Sequence, residues 1–386
     1  MKVAAVIMTH RPDCSRTIRS VAHKVDMVLC IGTHYEPHDW TKEREAAGDT
    51  EFVIETWDPL PQPVHKYIAD RRTACLDLAE KLGCDWALIM DSDEWVDWMG
   101  LDFKGQLAVM PEDVGMLFMC AAAQAHARPK AFKLPRQGEW HEVVHEEFHC
   151  KGATAHLPLA IFYEDQKPEA EVLALCEAIV TISLEELEKN PRNPRYHYFL
   201  ADCYVKQKKL AESVQHFVQA GDYSEWDEFS TWCYTRAAIV LVVMGKPGPA
   251  IKIGVTGLSR HAGFGDLYWI LACASVDLER WEQGIFWAQN AVAQGRYCGI
   301  GSQYQRTCGC SLPGLWEGPF EVLTLALEKA GNPEGAAAAK IQADQARQIR
   351  LELSAIPEEK SGPISSEEDE PRPMGERPVE LQLLTG

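Results

Sequence analysis

The chain has 386 residues, of which 46% are hydrophobic and 25% charged, and its formal net charge is −19. The length allows two domains, the composition is ordinary for a globular protein, and the negative charge disfavours a nucleic-acid partner. No run approaches the roughly 18 apolar residues that span a bilayer, and the opening apolar run is too short for a secretory leader, so a cytoplasmic protein without a transmembrane segment is expected.

Strand-like and helix-like segments alternate over the first 165 residues. Residues 3–8 read as a strand ending in Thr9-His10-Arg11. Residues 13–25 read as a helix with Asp13 as N-cap after Pro12. A second strand, 28–31, stops at Gly32, and a third covers 52–55. The apolar stripe of Ile68, Cys75, Leu76, Leu78, Ala79 and Leu82 predicts a helix over 67–83 that Gly83 stops. A buried strand over 86–90 then delivers Asp91-Ser92-Asp93-Glu94. Such alternation implies a mostly parallel sheet. Ligands of such sheets bind beyond the carboxyl ends of the strands, which is where Thr9, His10, Gly32 and Asp91 fall. Two carboxylates two residues apart at a strand end form an oxygen claw for a hard cation, Mn²⁺ or Mg²⁺, and a cation there can help a diphosphate leave.

From residue 169 the pattern becomes helix after helix. Leu200-Ala201, Tyr204, Ser213, Phe217 and Ala220 recur 37 residues on as Ala237-Ala238, Leu241, Ala250, Gly254 and Gly257. After another 34 they recur as Leu271-Ala272, Ser275, Gly284, Ala288 and Ala291. The small residues fall where paired helices touch, a pattern similar to the 34-residue tetratricopeptide repeat. A fourth unit fits 316–339, after a Gly/Cys/Tyr-rich loop over 296–314. In this frame Tyr204 is expected to be buried and Arg236 to face a groove as a surface charge. Residues 356–386 are rich in Pro, Glu, Ser and Gly and are expected to form a disordered acidic tail. The 13 cysteines are scattered, mostly in apolar stretches. Small buried hydrophobes explain them better than disulfides or a metal site.

Four segments carry a family resemblance: Val6-Ile7-Met8-Thr9-His10-Arg11-Pro12, Asp70-Arg71-Arg72-Thr73-Ala74, Asp85-Trp86 through Asp91-Ser92-Asp93-Glu94, and Val144-His145-Glu146. With the repeats behind them, the chain resembles a family 2-type GT-A glycosyltransferase followed by a tetratricopeptide-like helical domain. The domains implied are an α/β GT-A (Rossmann-like) nucleotide-sugar domain over 1–168, an all-α repeat domain over 169–355 and the tail. The implied activity is metal-dependent transfer of a sugar, with inversion, from a UDP- or GDP-sugar to a peptide, protein or glycan. Thr9, His10, Arg11, Gly32, Arg71, Arg72 and Asp91 would then hold the nucleotide. Asp91, Asp93 and His145 would hold the metal. Glu94 and Glu146 compete for the role of catalytic base, with Asp165 as a third choice. The family's acid at the end of the second strand is absent, since Cys30-Ile31-Gly32-Thr33-His34 stands there, and Glu55 or Asp58 are candidates to replace it. Two other readings are open: a non-catalytic tetratricopeptide scaffold with a decayed front domain, and a metal-dependent nucleotidyltransferase or phosphoesterase.

Overall fold

The computed structural model describes residues 1–9, 13–33, 38–58, 67–98, 100–120, 124–141, 147–163, 169–295 and 310–354. The chain forms two compact units that divide between Glu185 and Glu186. Helical texture begins at Glu169, as the sequence pattern predicts, but the division falls inside the first long helix rather than before it.

In the front unit eight strands form one sheet: β1 (Val3–Thr9), β2 (Met27–Gly32), β3 (Glu51–Thr56), β4 (Trp86–Asp91), β5 (Glu94–Asp97), β6 (Val114–Cys120), β7 (Gln124–Lys133) and β10 (Thr154–Tyr163). Their order is β3-β2-β1-β4-β7-β6-β10-β5. Strands β1 to β4 are mutually parallel, and β7 runs antiparallel to β4. A separate hairpin pairs β8 (Gly138–His141) with β9 (Glu147–Cys150). Alternation along β1 builds two cores. Val3, Ala5 and Ile7 pack with Ile18, Ala47 and Phe103, from helices α1 (Ser15–Val21), α2 (Thr41–Ala47) and α4 (Phe103–Val109). Ala4 and Val6 point the other way, into a core shared with Cys75 and Leu76 of α3 (Ile68–Lys81) and with Trp140 and Phe148 of the hairpin. Gly83 follows α3 with φ of +76°, the left-handed stop that glycine takes without strain. Asp13 accepts from Ser15 N at 2.9 Å, but the N-cap is Cys14, so the helix starts later than the sequence pattern predicts.

Helix α5 (Glu169–Lys189) leads into the second unit. Four antiparallel pairs follow: α6 (Pro194–Lys206) with α7 (Leu210–Tyr223), α8 (Asp227–Val243) with α9 (Pro247–Arg260), and α10 (Gly265–Asp277) with α11 (Trp281–Gly295). After a short α12 (Leu312–Leu315) comes the pair α13 (Gly318–Lys329) and α14 (Pro333–Ser354). The repeat is visible in the backbone. The turns inside the pairs each hold one residue in the left-handed region, Lys208, Gly245, Glu279 and Gly331. The first three are spaced 37 and 34 residues apart, the register that the side-chain pattern predicts. Small residues sit at the helix contacts: a Cβ on Gly257 would stand 3.0 Å from Tyr234 Cβ, and one on Gly284 would stand 2.9 Å from Val276. The unit is therefore a tetratricopeptide-like helical repeat.

Arg236 departs from expectation. It is 5% exposed and pairs with Asp202 at 2.9 Å, with its guanidinium over Phe217 and Trp232. It is an interior charge joining α8 to α6, because each repeat brings the next first helix against the previous one. Tyr204 is half-buried, beside His216. Of the nine described free cysteines, eight are buried, as small hydrophobes should be. Among the described residues no helix is long and apolar enough to cross a membrane. The 296–309 loop and the tail from 355 lie outside the described residues.

Candidate functional site at the ends of the parallel strands

Strand β2 lies on one side of β1 and β4 on the other. The strand order therefore reverses between β1 and β4, the position at which open α/β sheets bind ligands. The register pairs Met8 with Asp91 and Thr9 with Gly32, so three of the expected residues meet at one sheet end. Backbone bonds extend this edge. Thr33 N donates to Thr9 O at 2.8 Å, and Trp57 N donates to Gly32 O at 2.9 Å.

Asp91 is the last residue of β4, and Ser92-Asp93 form a tight turn into β5. Thr17 of α1 braces that turn, donating its hydroxyl to Ser92 O at 3.0 Å. Arg72 reaches across from α3, and one of its terminal nitrogens donates to both Asp91 oxygens, at 2.9 and 3.0 Å. Glu94 turns inward: its Oε2 accepts from Asp91 N at 2.8 Å, and both its oxygens lie 2.7 Å from Lys130 Nζ. Lys130, from β7, also stands 3.8 Å from Asp91 Oδ2. Lys130, Glu94 and Arg72 are 3%, 4% and 8% exposed. Burial of these three groups is tolerable because each is paired.

The electrostatics separate the two acids. Burial pushes the Asp91 carboxyl up, but Arg72 and then Lys130 outweigh it and hold the group well below the usual carboxylate range. For Glu94 burial wins over Lys130, and its carboxyl is raised to about 7. One acid is firmly ionised, and its neighbour titrates near neutrality.

Arg71, next to Arg72 on α3, points elsewhere. It donates to the backbone oxygen of Asp58 at 3.1 Å, and its guanidinium lies 5.3 Å from the centre of the Trp57 ring. With Thr56, Asp58 and Ala74 these residues line an open cleft of about 330 Å³ beyond β3. The two arginines therefore serve two places. The β8–β9 hairpin is anchored by Trp140, which packs on Phe132 and Phe148 and lies under Arg72 at 5.4 Å. His10, Arg11, His145, Glu146 and Asp165 lie outside the described residues.

Of the expected metal ligands, Asp91 and Asp93 lie at this turn, and His145 lies outside the described residues. Both Asp91 oxygens accept from Arg72, and no cluster of three metal-ligating side chains occurs among the described residues. Sequence reasoning missed Lys130. Its trace is a cation beside Ala131 and Phe132 in an apolar stretch, a charge that needs an acid if it is buried.

No family model matches the chain, and no curated protein matches it. Solved structures similar to it include MamA, at 12% identity over 49% of this chain and 99% of that one, with a TM-score of 0.38. Another is YrrB, described as a TPR protein with an unusual peptide-binding site, at 13% identity over 48% and 86% with a TM-score of 0.35. A third is BtubC from P. vanneervenii, at 13% identity over 52% and 90% with a TM-score of 0.34.

Proposed function

We propose that the front unit binds a nucleotide sugar across the ends of β1, β2 and β4 and transfers the sugar to an acceptor hydroxyl, in the manner of a GT-A glycosyltransferase. The observation that carries this reading is the Arg72–Asp91–Lys130–Glu94 cluster. It fixes an ionised carboxylate at the switch point of a parallel sheet, where no core requires one. The cleft lined by Trp57, Asp58 and Arg71 lies along the same edge and offers an aromatic wall, a guanidinium and a carboxylate to a base. Glu94 is assigned the anchoring of Asp91 and Lys130. The base that deprotonates the acceptor is then Glu146, a role that rests on the sequence resemblance. Calorimetry with UDP and GDP tests the reading: one of the two should bind at micromolar to submillimolar Kd, and Asp91→Asn should weaken binding at least about tenfold. Absence of binding by either nucleotide at millimolar concentration refutes it. A product search by mass spectrometry with the matching nucleotide sugars follows a positive result.

A second reading is a protein-interaction scaffold without catalysis. It is favoured by the four stacked helix pairs and by a charge cluster that is already closed on itself. Stacked helix pairs present extended surfaces to peptides or proteins. A scaffold would bind neither nucleotide and would keep its partner when Asp91 is changed to Asn.

A further inference from the structure

The Asp91-Ser92-Asp93 turn has the spacing of a cation claw, yet its first carboxylate already has cations. Arg72 donates to both oxygens, and Lys130 stands 3.8 Å from one of them. Neither cation is a mobile surface group. Lys130 is locked by both oxygens of Glu94, and Glu94 is in turn fixed by the Asp91 backbone N–H. Arg72 lies against Trp140. The positive charge at Asp91 is therefore built into the fold, and a divalent ion at this carboxylate would share it with a bound guanidinium and sit beside a buried ammonium.

We propose that Lys130 is a positioning residue which, together with Arg72, takes the place of a divalent cation at Asp91, so that Asp91 accepts ligand hydroxyls rather than a metal ion. An ionised carboxylate has about four acceptor sites over its two oxygens. The Arg72 nitrogen uses one on each oxygen, and about a third of the side chain, 32%, is exposed. What is left is one acceptor site on each of two adjacent oxygens, which matches a vicinal diol. Such a diol is carried by the ribose of a nucleotide and by a free sugar.

The metal part of this inference stands alone, and the diol part rests on the nucleotide reading proposed above. The first experiment titrates the full-length protein with Mn²⁺ and follows free Mn²⁺ by electron paramagnetic resonance. Asp91→Asn should leave the Mn²⁺ titration unchanged. The charge-balanced pair Lys130→Met/Glu94→Gln should gain Mn²⁺ affinity by about tenfold, and a further Asp91→Asn should abolish that gain. Wild-type Mn²⁺ binding that Asp91→Asn removes overturns the proposal. If the double variant does not fold, the comparison of wild type with Asp91→Asn decides alone. The second experiment measures UDP, GDP and their 2′-deoxy counterparts by calorimetry, in EDTA and in Mn²⁺. Kd should agree within about threefold between the two conditions, the deoxy forms should bind more weakly, and Asp91→Asn should erase that difference. Binding that collapses in EDTA overturns the metal-free site. Equal binding of the deoxy forms assigns the diol to a free sugar, tested with glucose and mannose. Failure of every nucleotide defeats the functional reading, while the Mn²⁺ titration still decides the role of Lys130.

Discussion

Glu94 gives the front unit a pH signature. Its carboxyl is raised to about 7 in the folded protein, against 4.5 for an ordinary glutamate. Between these values the folded state binds a proton that the unfolded chain has lost, so Glu94 adds stability at low pH and loses it as pH rises to about 7. The melting temperature of the wild type relative to Glu94→Gln should fall from pH 5 to pH 7 and then level off. A flat difference would show that Lys130 keeps Glu94 ionised throughout. Asp91 acts with the opposite sign, since its lowered pKa gives stability that is lost only in acid. Single removal of a buried partner is a separate matter. Arg72→Met removes the hydrogen-bonded cation of Asp91 but leaves Lys130 at 3.8 Å and the field of Arg128, so about 1–3 kcal/mol should be lost in urea unfolding.

At the scale of elements, the helical repeat supplies two contrasts. Gly257 and Gly248 both lie in α9. A Cβ on Gly257 would meet Tyr234 Cβ at 3.0 Å and Leu267 at 2.9 Å, whereas one on Gly248 meets nothing within 4 Å. Gly257→Ala should therefore lose about 1–2 kcal/mol to crowding despite its better helix propensity, and Gly248→Ala should gain up to about 1 kcal/mol. Chemical denaturation of the two variants reads the opposite signs directly. The α6–α7 pair is joined by His197 and His216, whose Nδ1 atoms lie 2.9 Å apart. With His197 Nε2 donating to Pro191 O at 3.0 Å, its Nδ1 is left to accept from His216. Burial lowers both groups, His216 to about 4. Histidines held neutral in the fold stabilise above about 6.5, their ordinary value, and that contribution is lost as pH falls toward 4. Thermal unfolding of the helical unit should drop between pH 7 and pH 5, and His216→Gln should reduce that drop.

For the whole molecule, the described residues end at Ser354, and the remaining residues are compositionally acidic and poor in apolar side chains. Deletion of 355–386 should leave the melting temperature within about 5 °C of wild type, because such a segment adds little buried apolar surface. A larger fall in calorimetry would show that the tail packs on the folded chain. The expectation of a groove-facing Arg236 fails as well. Ser230 through Val242 of α8 are buried, Arg236 among them. Surface substitutions aimed at a partner should therefore be placed at exposed positions such as Trp226 and Phe286, which are 49% and 54% exposed.

Sequence periodicity was enough for the elements themselves. Alternation along β1, the apolar stripe of α3 with its terminal Gly83, and the 37- and 34-residue recurrence of small residues are local patterns, and local geometry reads them directly. The meeting of Thr9, Gly32 and Asp91 at one sheet end also followed, because parallel strands leave their carboxyl ends on one edge. What the side chains do there was decided only in three dimensions. Which cations stand at Asp91 and Glu94, and whether Arg236 is a surface or an interior charge, depend on residues 19 to 39 positions away, on other elements. A charge reads the same in sequence whether solvated or buried. Only the packed partner, brought close by the fold, sets its pKa and its task.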